Sequence, residues 1–140
     1  MTLDPAQLRD FAEHYTAAWC SGNPRNVAAF FSPNGSLRVN TNAPAIGRTA
    51  IADVAQSFMT AFPDLVLTMD DIVSHGDGAA YHWTFAGTNT GPGGTGQRVH
   101  FSGFEDWSIG VDELIAESLG HFDQAEYEHQ LAHGIGEPAQ

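Results

Sequence analysis

The spacing of apolar residues in the first half of the chain predicts helices. Apolar side chains recur every three or four residues from Leu8 to Trp19, which is the spacing of one buried helical face. Asp4 is a suitable N-cap, Pro5 suits the first helical position, and Gln7 completes a capping-box pattern. We therefore expect the first helix to begin directly after Asp4.

Two further helices and a short strand are expected before the pattern changes. Asn23-Pro24 begins a short second helix, and residues 33–35, Pro-Asn-Gly, predict a turn. A short strand is expected over residues 36–40. Thr49 is the expected cap of a third amphipathic helix, which Pro63 stops.

The second half of the chain alternates apolar and polar residues with the period of β-strands. Strands are predicted at residues 65–73, 79–89 and 97–109, and a last strand starts near Leu114. The short links between them indicate an antiparallel meander. Helices followed by such a sheet make an α+β domain, which we assign to residues 1–133 with a loose C-terminal tail at 134–140.

Composition and charge narrow the function classes. A chain of 140 residues suits one domain with one core, and its formal net charge of -12 argues against nucleic-acid or anionic-membrane partners. The single cysteine, Cys20, excludes an internal disulfide and suits a reducing compartment. The N-terminal segment lacks the apolar core of a signal peptide, and no apolar run reaches the roughly 20 residues of a membrane span. We expect a cytoplasmic protein.

Two short motifs are weak indications of ligand binding. The segment GPGGTG at residues 91–96 lacks the Lys-Ser/Thr of a phosphate-binding loop, and a hairpin loop is the better interpretation. His129 and His133 stand four residues apart, as in a zinc helix, but Gln130 replaces the glutamate that would follow the first histidine. We interpret this segment as a solvated helix face and expect neither a metal nor a cofactor.

One carboxyl group falls among aromatic residues of a predicted strand. Alternation places Glu105 on the same face as Phe101 and Trp107, and the preceding strand has a large apolar face from Tyr81 to Phe85. Burial among these rings would raise the pKa of Glu105, because burial penalises the charged form. A partly exposed strand carboxylate is the alternative.

The last strand ends with two ionisable residues on one face. His121 and Asp123 are two residues apart, so they lie either over a cavity or on a wet surface. Asp123 followed by Glu126 also matches a helix N-cap, and His121 could be a surface histidine.

The chain as a whole resembles the SnoaL-like branch of the nuclear-transport-factor-2-like superfamily. The likeness is carried by four segments in order: HYTAAWCSGNPRNVAAFFSPNGSL, IGRTAIADVAQSFMTAFPDL, WTFAGTNTG and IAESLGHFD. The resemblance implies a cone in which a curved antiparallel or mixed sheet and three N-terminal helices enclose an apolar pocket. Relatives include cyclases, isomerases, epoxide hydrolases, dehydratases and binding proteins, and they are often homodimers.

The resemblance also implies roles for individual residues. Asp123 matches a catalytic aspartate near the end of the last strand, and Tyr15 matches an oxyanion-donating tyrosine of ketosteroid isomerases. Glu105 falls where those isomerases hold a protonated acid, and Asn40 resembles a pocket asparagine of epoxide hydrolases. Core packing is the alternative for Tyr15. The Arg-x-Asp pair of those hydrolases is absent, because Tyr81-His82-Trp83 occupies the matching strand.

These inferences predict a cofactor-independent enzyme that acts on a small hydrophobic oxygenated molecule. Asp123 would abstract a proton, and Glu105, Tyr15 or Asn40 would stabilise the oxyanion in an aldol-type cyclisation or an isomerisation. A hydrolase or dehydratase and a non-catalytic binding module are the alternatives. The expected pocket residues are Trp19, Phe58, Tyr81, Trp83, Phe85, Trp107 and His121.

Overall fold

The computed structural model describes residues 4–135, which form four helices and six strands. The helices are α1 (Pro5–Cys20), α2 (Pro24–Ala28), α3 (Arg48–Ala61) and α4 (Gln124–His133). The strands are β1 (Phe31–Val39), β2 (Ala45–Ile46), β3 (Val66–His75), β4 (Gly78–Thr88), β5 (Arg98–Ile109) and β6 (Ile115–Phe122).

The six strands form one mixed sheet in the order β2-β1-β6-β5-β4-β3. Strands β3 to β6 are an antiparallel meander, as their short links predict, whereas β1 runs parallel to β6. Helices α1 and α3 cover one face, which we call the inner face, and the hydrophobic core lies between them and the sheet. The predicted α+β class and curved sheet are confirmed.

Helix α1 begins as its sequence predicts. The Asp4 carboxylate accepts a hydrogen bond of 2.8 Å from the backbone N–H of Gln7, and the Gln7 side chain accepts one of 3.2 Å from the backbone N–H of Asp4. The apolar stripe of the helix is buried, including Leu8, Tyr15 and Trp19. The capping box therefore fixes the start of a helix whose buried face reaches the centre of the domain.

Strand β1 begins earlier than predicted, so the expected turn at residues 33–35 is wrong. Those residues form an irregularity inside the strand, where Phe31 pairs with Ile115 but Ser36 already pairs with Glu117. Glycine is required at position 35, because a Cβ there would stand 2.8 Å from the carbonyl oxygen of Ile115. A Pro-Asn-Gly sequence therefore signals a bulge here, because the neighbouring strand holds both ends of the segment.

The expected cap of α3 is also corrected. Gly47 is the N-cap, with a φ of 90°, and no side chain caps the first turn; Thr49 already lies within the helix. A positive φ favours glycine, so the chain enters α3 through backbone geometry instead of a hydroxyl cap.

Helix α4 follows β6 after Asp123 and ends at His133, with Gly134 as its C-cap. The predicted loose tail at 134–140 falls mostly outside the described residues, which end at Ile135. Between residues 4 and 135, no helix combines the length and the hydropathy required to cross a membrane.

Candidate active site

A cavity lies between the inner face of the sheet and helices α1 and α3. The cavity opens to solvent: its empty space, counted with the open part, is about 530 Å³, and the space that the centre of a water molecule can reach is about 60 Å³. Its lining comprises Trp19, Leu37, Arg38, Val39, Val54, Phe58, Leu67, Trp83, Phe85, Phe101, Glu105, Gly120 and Phe122. Strand alternation directs the Arg38 side chain to the opposite face of the sheet. Among the lining residues in the described part of the chain, Glu105 is the one that has a carboxyl group.

Glu105 is buried on β5 and three side chains hold one of its oxygens. The side chain is only 7% exposed. Its Oε1 accepts hydrogen bonds from the Tyr15 hydroxyl at 3.0 Å, the Trp107 indole N–H at 2.9 Å and the Ser118 hydroxyl at 2.8 Å. These three donors come from α1, β5 and β6, so the fold fixes the orientation of the carboxyl group.

The second oxygen of Glu105 is left for the cavity. Within residues 4–135, Oε2 accepts no hydrogen bond, whereas Oε1 accepts three. When the group is protonated, the proton therefore lies on Oε2; when it is ionised, Oε2 is the available base. Either form presents one reactive atom to a ligand.

Burial raises the pKa of Glu105 above its usual range, and its three hydrogen bonds oppose that shift only in part. Burial also raises the pKa of Tyr15 well above its ordinary value, and the charge of Glu105 adds to the effect. Tyr15 therefore stays a neutral donor, and Glu105 holds its proton more tightly than an exposed carboxyl group does.

Aromatic rings pack densely behind the carboxyl group. Tyr15 makes an edge contact with Trp107 at 5.2 Å between ring centroids, and Tyr81 stacks on Trp107 at 4.9 Å. The Tyr81 hydroxyl is bonded to the Thr16 hydroxyl. These residues do not line the cavity; they form a rigid wall that positions Glu105 and excludes water from Oε1.

The structure divides the expected pocket residues into three groups. Trp19, Phe58, Trp83 and Phe85 line the cavity. Tyr81 and Trp107 belong to the aromatic wall described above. His121 lies elsewhere, as the register of β6 shows.

The register of β6 places His121 on the outer face of the sheet, contrary to expectation. Gly120 pairs with Glu105 on the inner face, so the next residue, His121, points outward beside Phe104. Its ring stacks on Phe104 with centroids 4.8 Å apart. The cavity is instead lined by Phe122.

Asp123 also lies outside the cavity, contrary to the expected catalytic role. It is exposed and is the N-cap of α4, where its carboxylate accepts a 3.0 Å hydrogen bond from the backbone N–H of Glu126. The helix-cap interpretation of the Asp-Glu spacing is therefore confirmed, and the cavity gains no base from this residue.

Asn40 was expected beside a ligand, but its side chain is engaged in hydrogen bonds within the protein. Its Oδ1 accepts a 2.9 Å hydrogen bond from the backbone N–H of Phe122, and its Nδ2 donates one of 2.9 Å to Gln124. Asn40 has a φ of 52°, a conformation that asparagine tolerates better than most residues. It therefore anchors the junction between β6 and α4.

Sequence reasoning missed Ser118 and several residues that line the cavity. Ser118 donates to Glu105 from β6, and no local pattern marked it. Phe101 and Phe122 are two of these lining residues; alternation placed Phe101 on the strand face of Glu105, but Phe101 was not among the expected pocket residues.

No group of three or more histidine, cysteine or acidic side chains is arranged to hold a metal ion in the described part of the chain. His129 and His133 do approach each other on α4, with ring centroids 4.9 Å apart, and both are exposed. This arrangement agrees with a solvated helix face.

Comparison with solved structures identifies the fold class. The chain is 26% identical to TsrD from Streptomyces laurentii, with a TM-score of 0.79 over 92% of this chain and 97% of that one. A protein with a ketosteroid isomerase-like fold from Catenulispora acidiphila, solved with trimethylamine, is 16% identical, with a TM-score of 0.76 over 94% of both chains. SalBIII, an epoxide hydrolase/cyclase-like enzyme of pyran ring formation in the polyether salinomycin, is 14% identical, with a TM-score of 0.76 over 88% and 95%.

The protein therefore has the ketosteroid isomerase-like, or nuclear-transport-factor-2-like, fold. The family model for the SnoaL-like polyketide cyclases matches residues 9–131, and the chain belongs to that family. Comparison with curated proteins gives no significant sequence match.

Proposed function

We propose that the protein is an enzyme that performs acid–base chemistry on a small hydrophobic oxygenated molecule, with Glu105 as the catalytic group. The observation that carries this proposal is a lone buried carboxyl group with one oxygen fixed by three donors and the other left for an apolar cavity. This assignment replaces Asp123, which lies outside the cavity, as the proton acceptor.

The geometry supports proton abstraction next to a carbonyl group. Ionised Glu105 would take the proton through Oε2, so the substrate C–H bond breaks, an O–H bond forms, and the electron pair becomes an enolate. In an aldol-type cyclisation the enolate carbon attacks a second carbonyl of the same molecule, and the Glu105 acid returns its proton to the new alkoxide. In an isomerisation the proton returns to another carbon.

The surrounding residues support these steps without touching the reacting atoms. Tyr15, Trp107 and Ser118 are positioning residues, because their donors are engaged by Oε1. The apolar lining excludes water, which strengthens electrostatic interactions in the cavity and protects an enolate from premature protonation.

A binding protein without catalytic activity is the second candidate. It is favoured by the positions of His121 and Asp123 outside the cavity, which leave Glu105 as the one carboxyl group among the described lining residues. The two candidates differ in whether a bound ketone exchanges its acidic hydrogens.

Hydrogen exchange into α-tetralone, an aromatic cyclic ketone, tests the proposal. Wild-type protein in deuterated buffer is expected to accelerate deuterium incorporation next to the carbonyl, as measured by NMR. Glu105→Gln is expected to abolish the acceleration, whereas Asp123→Asn, the matched control, retains it. Binding of the ketone without any exchange would support the binding protein, and equal exchange by Glu105→Gln would remove Glu105 from the mechanism.

A further inference from the structure

One indole N–H group at the cavity, that of Trp83, has no hydrogen-bond partner in the described part of the chain. Within residues 4–135, three buried side-chain nitrogen or oxygen atoms make no hydrogen bond of regular geometry, and two of them are Nε1 of Trp19 and Nε1 of Trp83. Both tryptophans line the cavity. The third atom, Nε of Arg38, belongs to a side chain that alternation places on the other face of the sheet.

An unpartnered buried donor requires an explanation, because folding removes it from water without a replacement. The cost is avoidable in this fold, since phenylalanine fills similar positions elsewhere in the cavity lining. The position of Trp83 in the cavity lining indicates that a ligand satisfies its donor. An indole N–H donates only, so the matching ligand group must be an acceptor.

Trp83, and not Trp19, is the donor left for a ligand. The Trp19 N–H is directed at the Tyr15 hydroxyl, where it acts to lower the pKa of that group, and the two rings pack edge-on with centroids 6.5 Å apart. The polar edge of Trp83 lies over Gly103, where a Cβ would stand 2.7 Å from its ring carbon Cζ2. Trp83 is 7% exposed, so a ligand oxygen would reach its N–H through rotation of the ring on its broad χ2 torsion.

The position of Trp83 relative to Glu105 sets the dimension of the ligand. On β4, Tyr81 pairs with Glu105 and Trp83 pairs with Gly103. Trp83 is therefore the next residue of β4 on the inner face after the one opposite Glu105. Two residues along a strand span roughly 6.8 Å. That distance is comparable with the length of a bicyclic ring system.

We propose that the ligand of this cavity is a cyclic compound with an acceptor oxygen at each end, one reacting at Glu105 and the other held by the indole N–H of Trp83. This inference rests on the proposed function in that it requires a ligand at Glu105, and it adds a specificity-determining residue: Trp83 selects a ligand with a second acceptor oxygen over a hydrocarbon of the same shape.

A matched pair of probes tests the second oxygen. 6-Acetyl-1-tetralone and 6-isopropenyl-1-tetralone have the same shape, but only the former has an acceptor oxygen at the end distant from the ketone. Calorimetry is expected to show about two- to tenfold tighter binding of the acetyl compound, the effect of one hydrogen bond. Trp83→Phe is expected to remove that preference, whereas Phe85→Leu weakens both probes equally.

The NMR signals of the indole N–H groups test the inference in the wild-type protein, so the result does not depend on whether a variant folds. The chain has three tryptophans, so three indole signals are expected in a ¹⁵N spectrum. The Trp83 signal is expected to move downfield with the acetyl probe and to stay in place with the isopropenyl probe. Equal affinities, an unmoved Trp83 signal or failure of the acetyl probe to bind would each overturn the inference.

The two proposals fail separately. Preferential binding of the acetyl probe without deuterium exchange would refute catalysis by Glu105 and leave the assignment of Trp83 standing. Exchange that depends on Glu105 but proceeds equally in both probes, with equal affinity, would refute only the assignment of Trp83.

Discussion

The buried carboxyl group should make the stability of the protein depend on pH in a way that Glu105→Gln removes. Glutamine keeps an oxygen for Tyr15, Trp107 and Ser118 but cannot ionise. In the wild type, burial raises the folded-state pKa of Glu105 above that of the unfolded chain, which is about 4.3. The folded state therefore retains a proton that the unfolded state releases.

The sign and the magnitude follow from proton linkage. Below the unfolded pKa both states are protonated, and the contribution of Glu105 to stability is fully present. As pH rises toward the raised folded pKa, the free energy of unfolding of the wild type falls by up to about 1.4 kcal/mol per pH unit relative to Glu105→Gln. Above the folded pKa the difference is constant.

Urea unfolding followed by tryptophan fluorescence, measured between about pH 4 and pH 8, gives that difference directly. Glu117→Gln, on the exposed surface of β6, corrects for the loss of one carboxylate. A second variant, Glu105→Leu, leaves three buried donors unpaired and should lower the free energy of unfolding by about 3 kcal/mol. A stability difference between wild type and Glu105→Gln that does not change with pH would refute the raised pKa.

Three further changes test the structural assignments. Asp123→Ala removes the N-cap of α4 and should lower the free energy of urea unfolding by about 1 kcal/mol, while the protein still binds the ketone. Loss of ketone binding would show that Asp123 contributes to the site. Gly103→Ala places a Cβ 2.4 Å from the carbonyl oxygen of His121 and 2.7 Å from the Trp83 ring, so it should lower the melting temperature and shift the Trp83 indole signal; an unchanged spectrum would contradict this contact. We also propose a homodimer through the outer sheet face, where Phe104 is 36% exposed; Phe104→Glu should yield a monomer in sedimentation equilibrium, and an unaffected assembly would exclude that face.

Local signals in the sequence determined the parts of the fold that local chemistry controls. The capping box at Asp4, the helical stripe through Tyr15 and Trp19, and the period of two in β4 and β5 were each sufficient to predict their elements. Alternation also placed Glu105 among aromatic residues, and it does lie there. These predictions held because caps and strand periodicity act between residues within a few positions of one another.

The tertiary structure decided what depends on pairing between distant segments. Alternation along β6 correctly puts His121 and Asp123 on the same side of the strand. It does not show which side faces the core, because both sides mix polar and apolar residues. Only the pairing of Gly120 with Glu105 fixes which face is inward. The same pairing delivers Ser118 to Glu105, and helix packing brings Tyr15 to it across 90 positions of sequence. The chain alone thus specified a carboxyl group among rings, and the fold made one of its oxygens a fixed acceptor and left the other for the cavity.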